Sequence, residues 1–167
     1  MIVIRPANEE DLPRLLEIYN HAVLHTNATA QETPLTLDER REWYDAHSRE
    51  GYPILVAATA AGEVVGWGSL SAFHLRSAYR YTAENSVYLD PAWRGQGIGK
   101  LLLEPLIDLA RAKRLRAVMA WIDSENEASL RLHAGLGFEK VGHFCEVIYK
   151  FERWLDVVVM ELVLHEN

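Results

Sequence analysis

Cysteine is nearly absent from this 167-residue chain: the one thiol is Cys145. That excludes an internal disulfide and argues against any cysteine-based zinc site. Positive charge is also scarce, with 17 Lys and Arg against 24 Asp and Glu and a net charge of −7. A nucleic-acid partner is therefore not expected, because such binding rests on Lys and Arg neutralising phosphates. Long apolar runs are missing too. The best of them, residues 157–164, is interrupted by Glu161 and falls far short of the ~20 residues that cross a bilayer. The opening Met1-Ile2-Val3-Ile4-Arg5 has no charged-then-apolar signal layout, so no membrane association and a cytoplasmic location are expected. Repeats, low-complexity tracts and Ser/Gly linkers are absent as well. A single domain over residues 1–167 is the expectation, and 49% hydrophobic residues supply its core.

What the chain does contain is an ordered run of periodic segments. Residues 2–5 alternate as a short strand. Residues 8–25 carry a helical stripe of Leu12, Leu15, Leu16, Ile18, Tyr19, Ala22 and Val23, with Pro13 placing the regular helix from about Asp11. Thr36-Leu37-Asp38-Glu39 is a capping-box pattern opening a helix to about Arg49. Strands follow at 54–58, 64–70 and Thr82–Leu89, then a helix over 98–113 with Pro105 inside it, which costs about 3 kcal/mol or bends it. A buried strand at 117–122, a short helix at 125–136, and strands at 141–149 and 155–164 complete the order. This predicts a mixed α/β fold: a mostly antiparallel central sheet, flanking helices and one helical crossover.

The most informative stretch is Val87-Tyr88-Leu89-Asp90-Pro91-Ala92-Trp93-Arg94-Gly95-Gln96-Gly97-Ile98-Gly99-Lys100. A strand runs into a loop whose glycines open a helix. Glycine lets backbone N–H groups approach an anion, the helix start adds a positive dipole end, and Arg94 and Lys100 bracket the turn with charge. A pyrophosphate suits this chemistry. The nucleoside-triphosphate P-loop does not fit, since Gly99-Lys100 is followed by Leu101 and position 94 is Arg. The dinucleotide fingerprint does not fit either, because Gly97 and Gly99 are only two apart. On the glycines alone, a tight turn with a helix cap is the other reading.

Arg94-Gly95-Gln96-Gly97-Ile98-Gly99 resembles the acyl-CoA pyrophosphate loop of the GNAT family of N-acetyltransferases at each fixed position. A second mark of that family is matched by Asn126, Ser129, His133 and Gly137-Phe138, with His where Tyr is usual. The chain is similar over nearly its whole length to the family's phosphinothricin and methionine sulfoximine acetyltransferase branch, in stretches such as Glu32-Thr33-Pro34, Thr82-Ala83-Glu84-Asn85-Ser86-Val87-Tyr88, Arg131-Leu132-His133 and Trp154-Leu155-Asp156-Val157. His133 agrees with that branch.

The resemblance implies acetyl-CoA as co-substrate, no metal, and transfer of acetyl to a small amino-acid-like amine. Such a reaction needs a base for the ammonium, donors for the oxyanion and an outlet for the thiolate. Glu84 occupies the branch's base position, and half-burial beside an apolar strand would raise its pKa; a surface carboxylate is the alternative. His133 is the candidate proton donor to the thiolate, against a role in packing alone. Backbone groups of Val87, Tyr88 and Leu89, where that strand splays from its neighbour, would meet the amide-rich arm of the cofactor. Gly95, Gln96, Gly97, Ile98 and Gly99 with Arg94 and Lys100 would hold its diphosphate, and Asn126 and Ser129 would hold the arm. His74, Leu75 and Arg76, with Asn85 and Ser86, match the branch's acceptor-binding segments, Arg76 being suited to a carboxylate. Glu32, Tyr79, Trp154 and Asp156 are further pocket candidates, Asp156 alternatively pairing within the last hairpin.

Some readings stay open. The acceptor could be a protein N-terminus, polyamine or drug amine, or the chain could bind acyl-CoA without turnover. An acyl-cysteine route through Cys145 lacks an evident His partner. His21 and His25 could share a metal but lack a third ligand. The branch is generally dimeric, so a homodimer is expected, with residues 8–25 and 36–49 offering surface.

Overall fold

The structure, a computed structural model, describes residues 1–164; the last three residues of the expected domain lie outside it. The elements are β1 (Ile2–Pro6), α1 (Leu12–His25), α2 (Leu37–Glu50), β2 (Ile54–Thr59), β3 (Val64–Ala72), β4 (Thr82–Leu89), α3 (Ile98–Ala112), β5 (Ala117–Asp123), α4 (Glu127–Gly135), β6 (Glu139–Lys150) and β7 (Arg153–Val163). Seven strands form one sheet in the order β1-β2-β3-β4-β5-β7-β6. Every pairing is antiparallel except β4 with β5, which α3 connects. This is the mixed, mostly antiparallel α/β fold expected of the sequence. Among the described residues no helix is long and apolar enough to cross a membrane.

Each face of the sheet buries a different helix stripe. On one, Leu102, Leu103, Leu106, Ile107 and Ala110 of α3 pack on Leu55, Val65, Leu70, Val118 and Met160. On the other, Leu12, Leu15 and Ile18 of α1 pack on Ile54, Val56, Val64 and Trp67. A fully buried leucine is worth about 1.5–3 kcal/mol, so these stripes, rather than helix propensity, hold the helices in place. Trp67 is buried with its indole N–H donating to the Leu15 carbonyl at 3.2 Å, tying α1 to the sheet.

Local signals set the helix ends. Thr36 and Glu39 form the reciprocal capping box, and Gly51, at φ 72°, closes α2 in the left-handed region. Asn8 caps a 3-10 turn at Glu9–Asp11, after which α1 starts with Pro13 in its first turn. Pro105 does not interrupt α3. The carbonyl it leaves without a helical partner is that of Leu101, four residues back on the exposed side of the helix, where water can take it.

The last hairpin closes through Phe151 and Glu152, both at positive φ (51° and 59°), between the paired Lys150 and Arg153. Positive φ at both central residues is the type I′ signature, here without Gly or Asn.

Candidate active site

The parallel ladder between β4 and β5 has three rungs: Thr82 with Ala117, Ala83 with Val118, and Glu84 with Met119. Beyond them β4 stays paired with β3 as far as Leu89, and β5 stays with β7 as far as Asp123. The two strands therefore part, and from residue 85 on the edge of β4 that faces β5 has no ladder partner. Unpaired backbone N–H and C=O groups need another partner. Val87, Tyr88 and Leu89 all lie on this stretch.

Glu84 stands at the last rung. Its carboxylate makes no ion pair among the described residues, and burial alone raises its pKa above the ordinary 4.5. Ala83 belongs to the α3-side core, so strand alternation puts Glu84, Ser86 and Tyr88 on the opposite face. There Tyr88 meets Trp67 at 4.9 Å and Tyr19 at 5.2 Å between ring centroids. Burial pushes the Tyr88 phenol strongly up, so it stays neutral.

Asn85 follows the last rung and is buried. Its Nδ2–H donates to the Met119 carbonyl at 3.0 Å, and its Oδ1 lies 3.0 Å from His133 Nε2. His133, on α4, is buried against the edge of Phe138. Its Nδ1 lies 2.8 Å from the Ser129 carbonyl and 3.3 Å from Ser129 Oγ. Burial pushes the imidazole pKa down. The expectation that His133 offers a free proton to a thiolate meets a ring with both nitrogens engaged inside the protein. Asn126 caps α4, accepting the Ser129 N–H at 3.1 Å.

After β4, Asp90 accepts the Ala92 N–H and pairs with Arg14 of α1. The chain then enters the glycine turn. Gly95 (φ 74°) and Gly97 (φ 80°) are both left-handed, and Gly97 starts α3 without a side-chain cap. Among the described residues, the N–H groups of Gly95 through Gly99 make no hydrogen bond within the chain. A Cβ on Gly99 would come 3.0 Å from Leu132 of α4, so this glycine lets the two helices approach. Arg94 and Lys100 are exposed on either side. Free amides, a helix start and two cations form an anion site.

His74, Leu75 and Arg76 lie in the exposed loop between β3 and β4, Leu75 being 99% exposed. Tyr79, in the same loop, packs on His74 at 4.9 Å. Arg76 makes no ion pair among the described residues. Two buried cations escape sequence reasoning. Arg40 of α2 is 2% exposed, its guanidinium stacked 4.6 Å from the Tyr19 ring, 4.5 Å from Trp43 and 5.1 Å from Trp67. Lys150, also buried, donates to the Thr26 and Thr29 carbonyls at 2.9 Å each, pinning the loop that carries Glu32. Arg40 falls on the face of α2 that carries Trp43, Tyr44 and the buried His47, but nothing local marks it or Lys150 as a core residue.

Cys145 is not isolated from other ligand types. Its Sγ, a ring nitrogen of His143 and a carboxylate oxygen of Asp156 lie within 4.8 Å of one another. Asp156 is occupied, accepting the Glu146 N–H and His143 Nε2 at 2.8 Å each. It closes the bulge in β6, as the hairpin reading of Asp156 expected. His21 and His25 stack with no third ligand among the described residues.

A sheet that opens beside an amide-lined helix start is the architecture of an acyl-CoA-dependent acyltransferase. Residues 14–138 match the acetyltransferase (GNAT) family, and the chain belongs to that family as an acetyl-CoA-dependent N-acetyltransferase. It is 48% identical over 161 residues to an L-methionine sulfoximine/L-methionine sulfone acetyltransferase of Pseudomonas paraeruginosa, covering 96% of this chain and 94% of that one. A GNAT-superfamily phosphinothricin acetyltransferase from Sinorhizobium meliloti, solved in complex with acetyl-CoA, matches with a TM-score of 0.95 and 39% identity, over 98% of this chain and 88% of that one. A ribosomal-protein-alanine N-acetyltransferase from Brucella melitensis matches with a TM-score of 0.94 and 42% identity, over 97% and 99%.

Proposed function

We propose that this enzyme acetylates the α-amine of a small free amino acid or analogue, of the methionine sulfoximine or phosphinothricin kind, by direct attack within a ternary complex. The observation that carries the reading is Glu84: a carboxylate with no cationic partner, its pKa raised by burial, where β4 leaves β5. An ammonium cannot attack a thioester. Glu84 takes its proton, directly or through one water, and a raised pKa brings the carboxylate closer to the amine's own.

The remaining steps fall to the backbone. The diphosphate of acetyl-CoA sits on the amides of Gly95 to Gly99 between Arg94 and Lys100, and its amide-rich arm fills the opening beside Val87, Tyr88 and Leu89, near Asn126. The amine lone pair forms the C–N bond as the carbonyl π pair moves to oxygen, where β4 amides receive it. Collapse expels the thiolate, which takes the proton shed by the new amide nitrogen. Arg76, with His74, Leu75 and Ser86, receives the acceptor's carboxylate end. The names of the Pseudomonas and Sinorhizobium relatives support this acceptor class. Dependence on acetyl-CoA supports a cytoplasmic location.

The Brucella relative's name favours a second reading, in which a peptide N-terminus is the acceptor. One experiment separates them: thiol release from acetyl-CoA by the purified protein, screened against amino acids, their sulfoximine and phosphinyl analogues, and alanine-terminated peptides. Turnover confined to the peptides would overturn the amino-acid reading.

The enzyme acts as a homodimer in this proposal, through a different surface from the helices named above. Val141, Phe144, Val147, Tyr149, Phe151 and Trp154, each about half exposed, lie along β6, its turn and the start of β7. β6 is also an edge strand, and long apolar edges call for cover. Light scattering of wild type and Val147→Lys tests this: a dimer that the substitution splits supports it, and a monomeric wild type contradicts it.

A further inference from the structure

The opening between β4 and β5 needs something to hold it at a fixed width. The parallel ladder ends at the Glu84–Met119 rung, and the Met119 carbonyl lies at that end. The Asn85 side chain reaches across this end, its Nδ2–H donating to the Met119 carbonyl at 3.0 Å, which ties β4 to β5 at the point where their ladder stops. A carboxamide can swivel unless its other end is fixed. With Nδ2 on Met119, the Asn85 Oδ1 faces His133 Nε2 at 3.0 Å, so the ring abuts the far end of the carboxamide and limits its turning. The far side of the ring rests on Ser129 through its carbonyl and hydroxyl, and Ser129 is itself held by Asn126. A continuous chain of contacts at hydrogen-bond distance therefore runs from the cap of α4, across the buried ring, to β5.

We propose that Asn85 and His133 are a positioning pair that clamps the end of the β4/β5 ladder and so sets the width of the cofactor cleft, with the His133 ring held between Asn85 and Ser129 rather than presented to the leaving thiolate. This rests on the reading of that opening as the place of the acetyl-CoA arm. His133 Nε2 faces the buried Asn85 side chain, and the residue is 4% exposed. Loss of either member lets the strands close or the carboxamide turn, which disorders the main-chain donors for the cofactor before any chemistry begins.

The test measures acetyl-CoA affinity by calorimetry in the absence of acceptor, together with kcat, for Asn85→Ala, His133→Ala, the double variant and His133→Gln. A Gln side chain places an amide N–H near the position of Nε2 but cannot act as an acid. Asn85→Ala and His133→Ala should each weaken acetyl-CoA binding about tenfold, the order of one buried hydrogen bond. The double variant should be no worse than either single one, as for residues acting as a unit. His133→Gln should recover both affinity and kcat to within about threefold of wild type.

The proposal is overturned if Asn85→Ala binds and turns over like wild type, or if His133→Gln loses kcat as fully as His133→Ala while its affinity is intact. Should His133→Ala not fold, His133→Gln against Asn85→Ala decides alone. Because affinity is read without acceptor, an error about Glu84 or the amine would leave this result standing.

Discussion

Glu84 and Met119 are the last residues to pair before β4 and β5 separate, so the base of the proposed reaction sits at the vertex of the cleft. Glu84→Gln keeps the shape and removes the proton acceptor. We expect kcat to fall about 10²–10⁴-fold, the usual contribution of a general base. In wild type, kcat/KM should rise with pH through an inflection above the ordinary carboxylate range, because burial raises that pKa. The variant should lack this limb. Thiol release across pH measures both.

The same group should cost stability. A carboxylate whose folded pKa lies above its unfolded value of 4.5 destabilises the fold above the folded pKa. The penalty fades as pH falls through that pKa towards 4.5. Glu84→Gln is neutral throughout, so its urea midpoint at neutral pH should exceed that of wild type, and the gap should close on acidification. A variant less stable at neutral pH would contradict the burial argument.

Gly97 starts α3 at φ 80° with open space where a Cβ would project. Alanine there meets no neighbour, but the left-handed backbone costs it about 1–2 kcal/mol. Relieving that strain would re-aim the free amides of the turn. The KM for acetyl-CoA should rise about tenfold for Gly97→Ala, the loss of one anion-directed hydrogen bond, with the acceptor KM little changed. Initial-rate kinetics varying each substrate separates the two.

How much of this was legible in the sequence depended on how local each signal was. Thr36 and Glu39 are three apart and cap each other, so the start of α2 could be read directly. The glycine turn was equally local, since positive φ at Gly95 and Gly97 is a property of the residues themselves. The short helix α4 begins two residues later than the sequence reading placed it, because Asn126 caps it. Arg40 and Lys150 were illegible as core residues: a cation is buried only when distant elements supply aromatic faces or carbonyls. The proximity of His143, Cys145 and Asp156 depends on a bulge in β6, which no local composition announced. His133 was visible as a motif position, but its orientation toward Asn85, 48 residues earlier, is a tertiary fact.

Arg76 is exposed, with no ion pair of its own in the described structure. If it takes the acceptor's carboxylate, Arg76→Ala should raise the acceptor KM about tenfold to a hundredfold, the range for a charge-assisted hydrogen bond. Stability and acetyl-CoA KM should be unaffected. An amine lacking the carboxylate should respond equally to wild type and variant.

The most direct measurement is a crystal structure with coenzyme A and a non-reactive acceptor analogue bound together. The account predicts the diphosphate on the amides of Gly95 to Gly99, the sulfur in the gap beyond the Glu84–Met119 rung, and the acceptor nitrogen within one hydrogen bond or one water of the Glu84 carboxylate. A cofactor lying outside that gap, or a Glu84 side chain turned away from the acceptor nitrogen, would contradict it.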